Sequence, residues 1–340
     1  MLRLPSRIEK ILVVKPSSLG DVVHSLPFLN AINAGFPGAS IHWVIAKGLE
    51  GILEAHPMIQ KLWVINKDDW KKIGNLKVTV SELKELFRNL RKERYDIVFD
   101  LQGLLRSGII TSATDAPVRI GFKEAREGSR FLYTHKIEGG KNIHAVDRYL
   151  KMAQFAGCDI SNIFFPLPPV LRTSPSVQTP CSPGEYAVIV PGTRWKTKKW
   201  PAERFGKLAS RLPLRTIVVG DKNEKDIADE IVSLADGRAT SLAGETDLIG
   251  LTEIMKHAKF IVSNDSGPMH IAAALGVPVF AIFGPTAPER TGPYGEGHTV
   301  IREEISCAPC FRKTCENLKC MNSLSAEKVY RIIMNKFGDS

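Results

Sequence analysis

The sequence has no uninterrupted apolar run near the ~18 residues of a membrane-crossing helix, so any contact with a bilayer is expected to be peripheral. A secretory signal is not expected either, because Arg3, Arg7 and Lys10 precede only the short apolar stretch Ile11 to Val14; an h-region takes roughly 7 to 15 residues. RNP-type aromatic motifs, zinc fingers and an extended Lys/Arg block are missing, so nucleic acid is not an expected partner. No G-x-G-x-x-G follows the first apolar strand, which argues against a dinucleotide-dependent dehydrogenase. No D-x-D pair occurs anywhere. That argues against a metal-held diphosphate and for one stabilised by helix dipoles, lysine and hydroxyl groups.

What is present is ordinary globular composition. The 340 residues are 44% hydrophobic and 24% charged, enough for two domains of about 150 residues each. The 46 basic side chains outnumber the 36 acidic ones, for a net charge of +10, which favours an anionic partner. Of the six cysteines, Cys158 and Cys181 stand alone, while Cys307, Cys310, Cys315 and Cys320 form C-x2-C-x4-C-x4-C. In a reducing cytoplasm that spacing fits a small structural zinc site, a redox-labile pair or neighbouring thiols. The expectation is structural thiols and no metal.

Short β-rich apolar runs alternate with amphipathic segments, the pattern of parallel α/β sheets with crossover helices. Ile8 to Val14, Ser40 to Ile45, Leu62 to Ile65 and Asp96 to Asp100 read as one set of strands, with helical patterns after Asp21, Val80 and Gly103. Tyr186 to Val190, Arg215 to Val219, Phe260 to Ser263 and Val279 to Phe283 read as a second, with helices after Pro201, Asn223, Leu248 and Pro268. Between them Pro166, Pro168, Pro169, Pro175, Pro180 and Pro183 mark a linker. The expected organisation is a domain over 1–165, a linker over 166–184, a domain over 185–324 and a C-terminal helix over 325–340 that could pack back on the N-terminal domain. Open α/β sheets bind ligands beyond the carboxyl ends of their strands, so two such sheets predict an enzyme with two substrates.

Three motifs sit at strand ends. Lys15 to Pro27 follows the first strand, with Gly20 read as the tight turn and Asp21 as the start of a helix; Asp at a helix start is common, so this segment alone leaves capping and chemistry equally open. Val190 to Pro201 follows the first strand of the second half and combines Gly192, Thr193, Arg194, Lys196, Lys198 and Lys199. Converging donors and charge there suit a phosphate, and a solvated basic loop is the alternative. Phe260 to His270 ends a strand on Asn264-Asp265-Ser266-Gly267 and opens a helix, with Pro268 read as its first residue. Its N-terminus favours a diphosphate, Asp265 suits a sugar hydroxyl, and His270 suits a phosphate unless it is simply packed. Thr286, after the next strand, adds a hydroxyl at a further turn.

The segments S-S-L-G-D-V-V-H, D-L-Q-G-L-L-R-S from Asp100, A-R-E-G from Ala125, H-A-V-D-R from His144, K-K-W-P from Lys198 and N-D-S-G-P-M-H from Asn264 resemble glycosyltransferase family 9. These are the ADP-heptose:lipopolysaccharide heptosyltransferases, and the N-terminal and middle motifs are most similar to the heptosyltransferase I branch. The resemblance implies a GT-B fold, two Rossmann-like domains with parallel sheets facing across a cleft. It implies an inverting, metal-independent enzyme without cofactor, moving L-glycero-D-manno-heptose from ADP-heptose to Kdo-lipid A or the lipopolysaccharide inner core at the cytoplasmic face of the inner membrane. Asp21 and Lys198 would be catalytic, as general base and as stabiliser of departing ADP. Thr193, Arg194, Thr246, Asp265, Ser266, Gly267 and His270 would meet the donor, with Asp221 or Glu224 on its ribose. Ser18, Gly20, Lys72, Gln102, Arg106 and Arg126 would meet the acceptor. Arg194 stands where that branch carries a second hydroxyl, and the four-cysteine segment looks more like that of members adding later heptoses. A family 9 enzyme for a later core heptose or another nucleotide sugar is one alternative; a non-catalytic basic protein binding anionic membrane or nucleic acid is another.

Overall fold

The computed structural model describes residues 4–5, 7–66, 76–140, 142–168 and 179–337. Lys72, expected at the acceptor, lies outside the described residues. The chain divides into two units, Met1–Pro169 and Val170–Ser340.

In the first unit, β1 (Lys10–Val14), β2 (Ser40–Ala46), β3 (Lys61–Ile65), β4 (Ile97–Asp100), β5 (Val118–Phe122) and β6 (His135–Ile137) form a parallel sheet in the order β3-β2-β1-β4-β5-β6. Ile11, Leu12, Val13 and Val14 are all buried, because a central parallel strand is covered on both faces and reads as a continuous apolar run. The helices are α1 (Leu19–His24), α2 (Leu26–Gly35), α3 (Leu76–Lys92), α4 (Leu105–Ala113) and α5 (Ala145–Phe155). Phe28 of α2 meets Phe99 of β4 edge to face at 5.1 Å.

In the second unit, β7 (Tyr186–Val190), β8 (Arg215–Val218), β9 (Ala239–Ser241), β10 (Phe260–Asn264), β11 (Val279–Ile282) and β12 (Thr299–Ile301) form a parallel sheet in the order β12-β11-β10-β7-β8-β9. It is the same winding repeated: each sheet starts at its centre, builds outward on one side, then returns to build on the other. The helices are α6 (Ala202–Ala209), α7 (Lys225–Ser233), α8 (Leu248–Lys256), α9 (Gly267–Ala274), α10 (Pro288–Thr291), α11 (Lys319–Asn322) and α12 (Ala326–Phe337). Ser325 caps α12, its Oγ accepting from Lys328 N at 3.1 Å. Val329 and Ile333 of α12 lie in this unit's core with Trp200 and Phe205, and Phe337 stacks on Phe260 at 5.2 Å.

Two helix starts differ from expectation. Helix α1 begins at Leu19 with Ser18 as its cap, so Gly20 sits inside the first turn rather than making the turn before it, and Asp21 is the third helical residue. Helix α9 begins at Gly267, which makes Pro268 its second residue. In both cases a hydroxyl takes the cap position, where its extended backbone suits the entry into a helix.

Candidate active site

Each sheet reverses direction at one place, between β1 and β4 in the first unit and between β7 and β10 in the second. Loops diverge there, leaving a crevice at the carboxyl ends of the strands. The motifs singled out from the sequence fall on these two places.

At the first, the carboxylate of Asp21 is held from several sides. Its Oδ2 accepts from Ser18 N at 3.0 Å and Ser18 Oγ at 2.6 Å, which closes a capping box on α1. Its Oδ1 accepts from Tyr149 OH at 3.3 Å and lies 3.6 Å from Lys15 Nζ. Lys15, at the end of β1, is only 2% exposed. Burial works against its charge, but Asp21, Tyr149 and Asp100 outweigh that and hold the ammonium above its ordinary value. Burial pushes the Tyr149 phenol up to about 12, so it stays a donor at neutral pH. The carboxylate is thereby oriented, and 38% of its side chain remains accessible.

The loop after β4 completes this end. Asp100 is fully buried and accepts from Gln102 N at 2.9 Å, Gly103 N at 3.0 Å and Tyr133 OH at 2.7 Å, so its part is to shape the loop. Gln102 Oε1 in turn accepts from Ser17 N at 3.4 Å, joining the loops after β1 and β4. Arg126 N donates to Gly103 O at 2.8 Å, and the Arg126 and Arg106 side chains are exposed. Ser18, Gln102 and Asp21 thus share one strand-end crevice, with Arg106 and Arg126 on the elements that follow.

At the second switch point Asp265 is the hub. It is 5% exposed; its Oδ2 lies 2.6 Å from Lys198 Nζ and accepts from Thr286 Oγ1 at 2.6 Å. Thr193 Oγ1 donates to Asp265 O at 2.9 Å. Asn264 braces the same loops, donating from Nδ2 to Pro191 O at 2.7 Å and accepting from Trp200 N at 3.2 Å. Ser266, Gly267 and buried His270 follow at the start of α9. The basic loop is therefore folded against a second motif rather than standing free in solvent, although Arg194 itself is exposed. Thr197 Oγ1 also donates to Arg312 O at 2.8 Å, tying the lysine loop to the segment that carries the cysteines.

The two acidic residues considered for a ribose occupy different places. Asp221 caps a short 3-10 turn, accepting from Asn223 N at 2.7 Å. Glu224 accepts from Asp221 N at 3.0 Å and rests against Gly192, where a Cβ would run into its carboxylate. Burial raises the Glu224 carboxyl above the usual range. Thr246 lies in the loop between β9 and α8. Among the described residues no group of three or more His, Cys, Asp or Glu side chains is placed to hold a metal ion, and all six thiols are free.

A sequence profile of glycosyltransferase family 9 (heptosyltransferase) matches residues 83–321. The chain belongs to that family. It is 32% identical to lipopolysaccharide heptosyltransferase 1 of Pseudomonas aeruginosa over 90% of this chain and 87% of that one. Among solved structures it is similar to E. coli heptosyltransferase WaaC with ADP-2-deoxy-2-fluoro heptose, at TM-score 0.79 and 26% identity over 96% of this chain and 99% of that one. It is also similar to the family 9 glycosyl transferase of Veillonella parvula, at TM-score 0.80 and 25% identity over 98% of both chains. The family 9 assignment agrees with the doubly repeated α/β winding. Sequence reasoning missed Lys15 and Tyr149 around Asp21. Lys15 carried a signal, a lysine directly after four buried apolar residues; Tyr149 is 128 residues from Asp21 and carried none.

Proposed function

We propose that this protein is an inverting, metal-independent heptosyltransferase, moving L-glycero-D-manno-heptose from ADP-heptose to the Kdo or inner-core region of a lipid A acceptor. Asp21 takes the proton of the acceptor hydroxyl as its oxygen attacks the anomeric carbon; the bond to ADP breaks on the opposite face, and configuration inverts in one displacement. Lys198, with Thr193 and the first turn of α9, offsets the charge growing on departing ADP. Asp265 and His270 hold the sugar and diphosphate, Glu224 holds the ribose, and Arg106 and Arg126 meet acceptor anions. The work takes place at the cytoplasmic face of the inner membrane.

The observation that carries this reading is a division of chemistry between two equivalent switch points. One ends in an anchored, accessible carboxylate, the other in a lysine paired with a buried aspartate beside a helix N-terminus. Similarity to lipopolysaccharide heptosyltransferase 1 supports a heptose donor and a lipopolysaccharide acceptor, and similarity to WaaC with ADP-2-deoxy-2-fluoro heptose supports ADP as the carrier. The test is incubation with ADP-heptose and heptose-deficient lipopolysaccharide, following the mass of the lipid, with UDP- and GDP-sugars and heptose-bearing acceptors alongside. A gain of one heptose from the ADP donor alone is expected. No gain with any acceptor would remove the assignment, and a gain only on heptose-bearing lipid would move the enzyme to a later step.

A further inference from the structure

The first unit carries an apolar surface that the chemistry above does not use. A groove of about 470 Å³ runs between α3, α4 and the 3-10 turn Ser129–Leu132, with Phe87, Ile109, Ala113 and Leu132 among its lining. The elements that carry it also expose apolar side chains: Leu105 is 44% exposed, Ile109 41% and Phe131 72%. Leu105, Ile109 and Ala113 are spaced four apart, so they lie along one face of α4. Gly108, on the adjoining face, lets α4 lie close against Ser129 and Leu132. The turn packed against α4 is the one that carries Phe131.

The charge around this surface has one dominant sign. Arg88 and Arg91 line the groove, Arg106 projects from α4, and Arg130 lies 4.9 Å from the Phe131 ring. Of the acids, Asp115 faces Arg91 at 3.9 Å and Glu127 accepts from Leu105 N at 3.1 Å; Glu85 sits one turn before Arg88 on α3, with Lys84 beside it and Glu82 further back. Exposed Phe, Leu and Ile among arginines match the interface of an anionic bilayer, where apolar groups enter the headgroup boundary and cations stay with the phosphates. A second copy fits less well, because a self-complementary contact would set arginine rim against arginine rim.

We propose that this α3–α4 face is where the protein seats on an anionic phospholipid bilayer. The proposal deepens the functional reading above and rests on it for its purpose. Arg106 and Arg126 stand on α4 and at the start of the turn that carries Phe131. A sugar projecting from a lipid in that bilayer would therefore meet them directly.

Co-sedimentation with vesicles tests it, using mixed phosphatidylglycerol and phosphatidylethanolamine against pure phosphatidylcholine. The protein should partition onto the anionic vesicles, hardly onto the neutral ones, and leave the former at high salt. The double substitutions Ile109→Ser with Phe131→Ser, and separately Arg88→Gln with Arg91→Gln, should each lower that partition about tenfold or more. Both variants should keep the wild-type rate on a delipidated, water-soluble acceptor, which also shows that they fold. Equal partition of variants and wild type, equal binding to neutral vesicles, or no binding of the wild type overturns the proposal. So does a concentration-dependent dimer that the Ile109 and Phe131 substitutions abolish. Expected vesicle binding without any heptose transfer would sink the assigned activity and leave this surface standing; transfer without vesicle binding would do the reverse.

Discussion

Lys198 and Asp265 form a close ion pair, Nζ to Oδ2 at 2.6 Å, with the aspartate side chain only 6% exposed. The lysine's charge is thus engaged before any diphosphate arrives. Asp265→Asn should release it, so ADP alone binds several-fold more tightly while transfer slows because a sugar contact is lost. Lys198→Ala should weaken ADP binding and lower kcat by about 10²–10³. It should also lower stability by about 3 kcal/mol or more, because among the described residues Thr286 alone would still donate to the buried Asp265 carboxylate. Calorimetric titration with ADP reads the first pair of effects, and weaker ADP binding by Asp265→Asn would refute the competition between carboxylate and phosphate.

Asp21 has two jobs that two substitutions separate. Asparagine can still accept from Ser18 N but no longer offsets the burial of the Lys15 ammonium, so Asp21→Asn should lose about 1–3 kcal/mol, and Asp21→Ala about 1 kcal/mol more through lost capping. Both should lose about 10²–10⁴ in transfer with ADP-heptose binding unchanged. Denaturant curves beside single-turnover rates check this; substantial turnover in Asp21→Asn would remove the base role.

Gly192→Ala places a methyl where the Glu224 carboxylate rests. Affinity for ADP is expected to fall about tenfold, while ADP lacking its ribose hydroxyls binds both proteins alike. The same drop for both ligands would mean that Glu224 does not touch the ribose.

A pH effect on stability is expected away from the site. Glu93 accepts from Lys10 Nζ at 2.8 Å and Lys61 Nζ at 2.7 Å, and these two bonds hold its carboxyl at about 2, against an ordinary 4.5. The folded value lies below the unfolded one, so the stabilisation is complete above pH 4.5 and is lost as pH falls toward 2. Glu93→Gln should lower stability by about 1–2 kcal/mol at pH 7 and by almost nothing near pH 2. A difference that stays constant over that interval would show that the bridge carries no linkage.

The central strands of both sheets were legible because parallel strands covered on both faces leave continuous apolar runs, as in Ile11 to Val14 and Tyr186 to Val190. The outer strands β5, β6, β9 and β12 escaped. They have three to five residues; Arg119 interrupts β5, one strand in from the edge, and Lys136 interrupts the edge strand β6. At the site, Asp21, Lys198 and Asp265 showed themselves as charge and hydroxyls clustered just beyond strand ends. The capping role of Ser18 was missed, with Asp21 read as the helix start, although its spacing to Asp21 carries it; the buried Lys15 and distant Tyr149 depend on tertiary packing that no local spacing records. The different surroundings of Asp221 and Glu224 also needed three dimensions, because only the fold sets Glu224 against Gly192.

The capping box at Ser18 and Asp21 has a bearing on how this enzyme can change. Moving the proposed base by even one position, or trading it for a histidine, would weaken the opening turn of α1 along with the proposed proton acceptor. Drift there is penalised twice, in fold and in turnover, so a redesign for new acceptors has more freedom in the neighbouring loops than at the carboxylate itself.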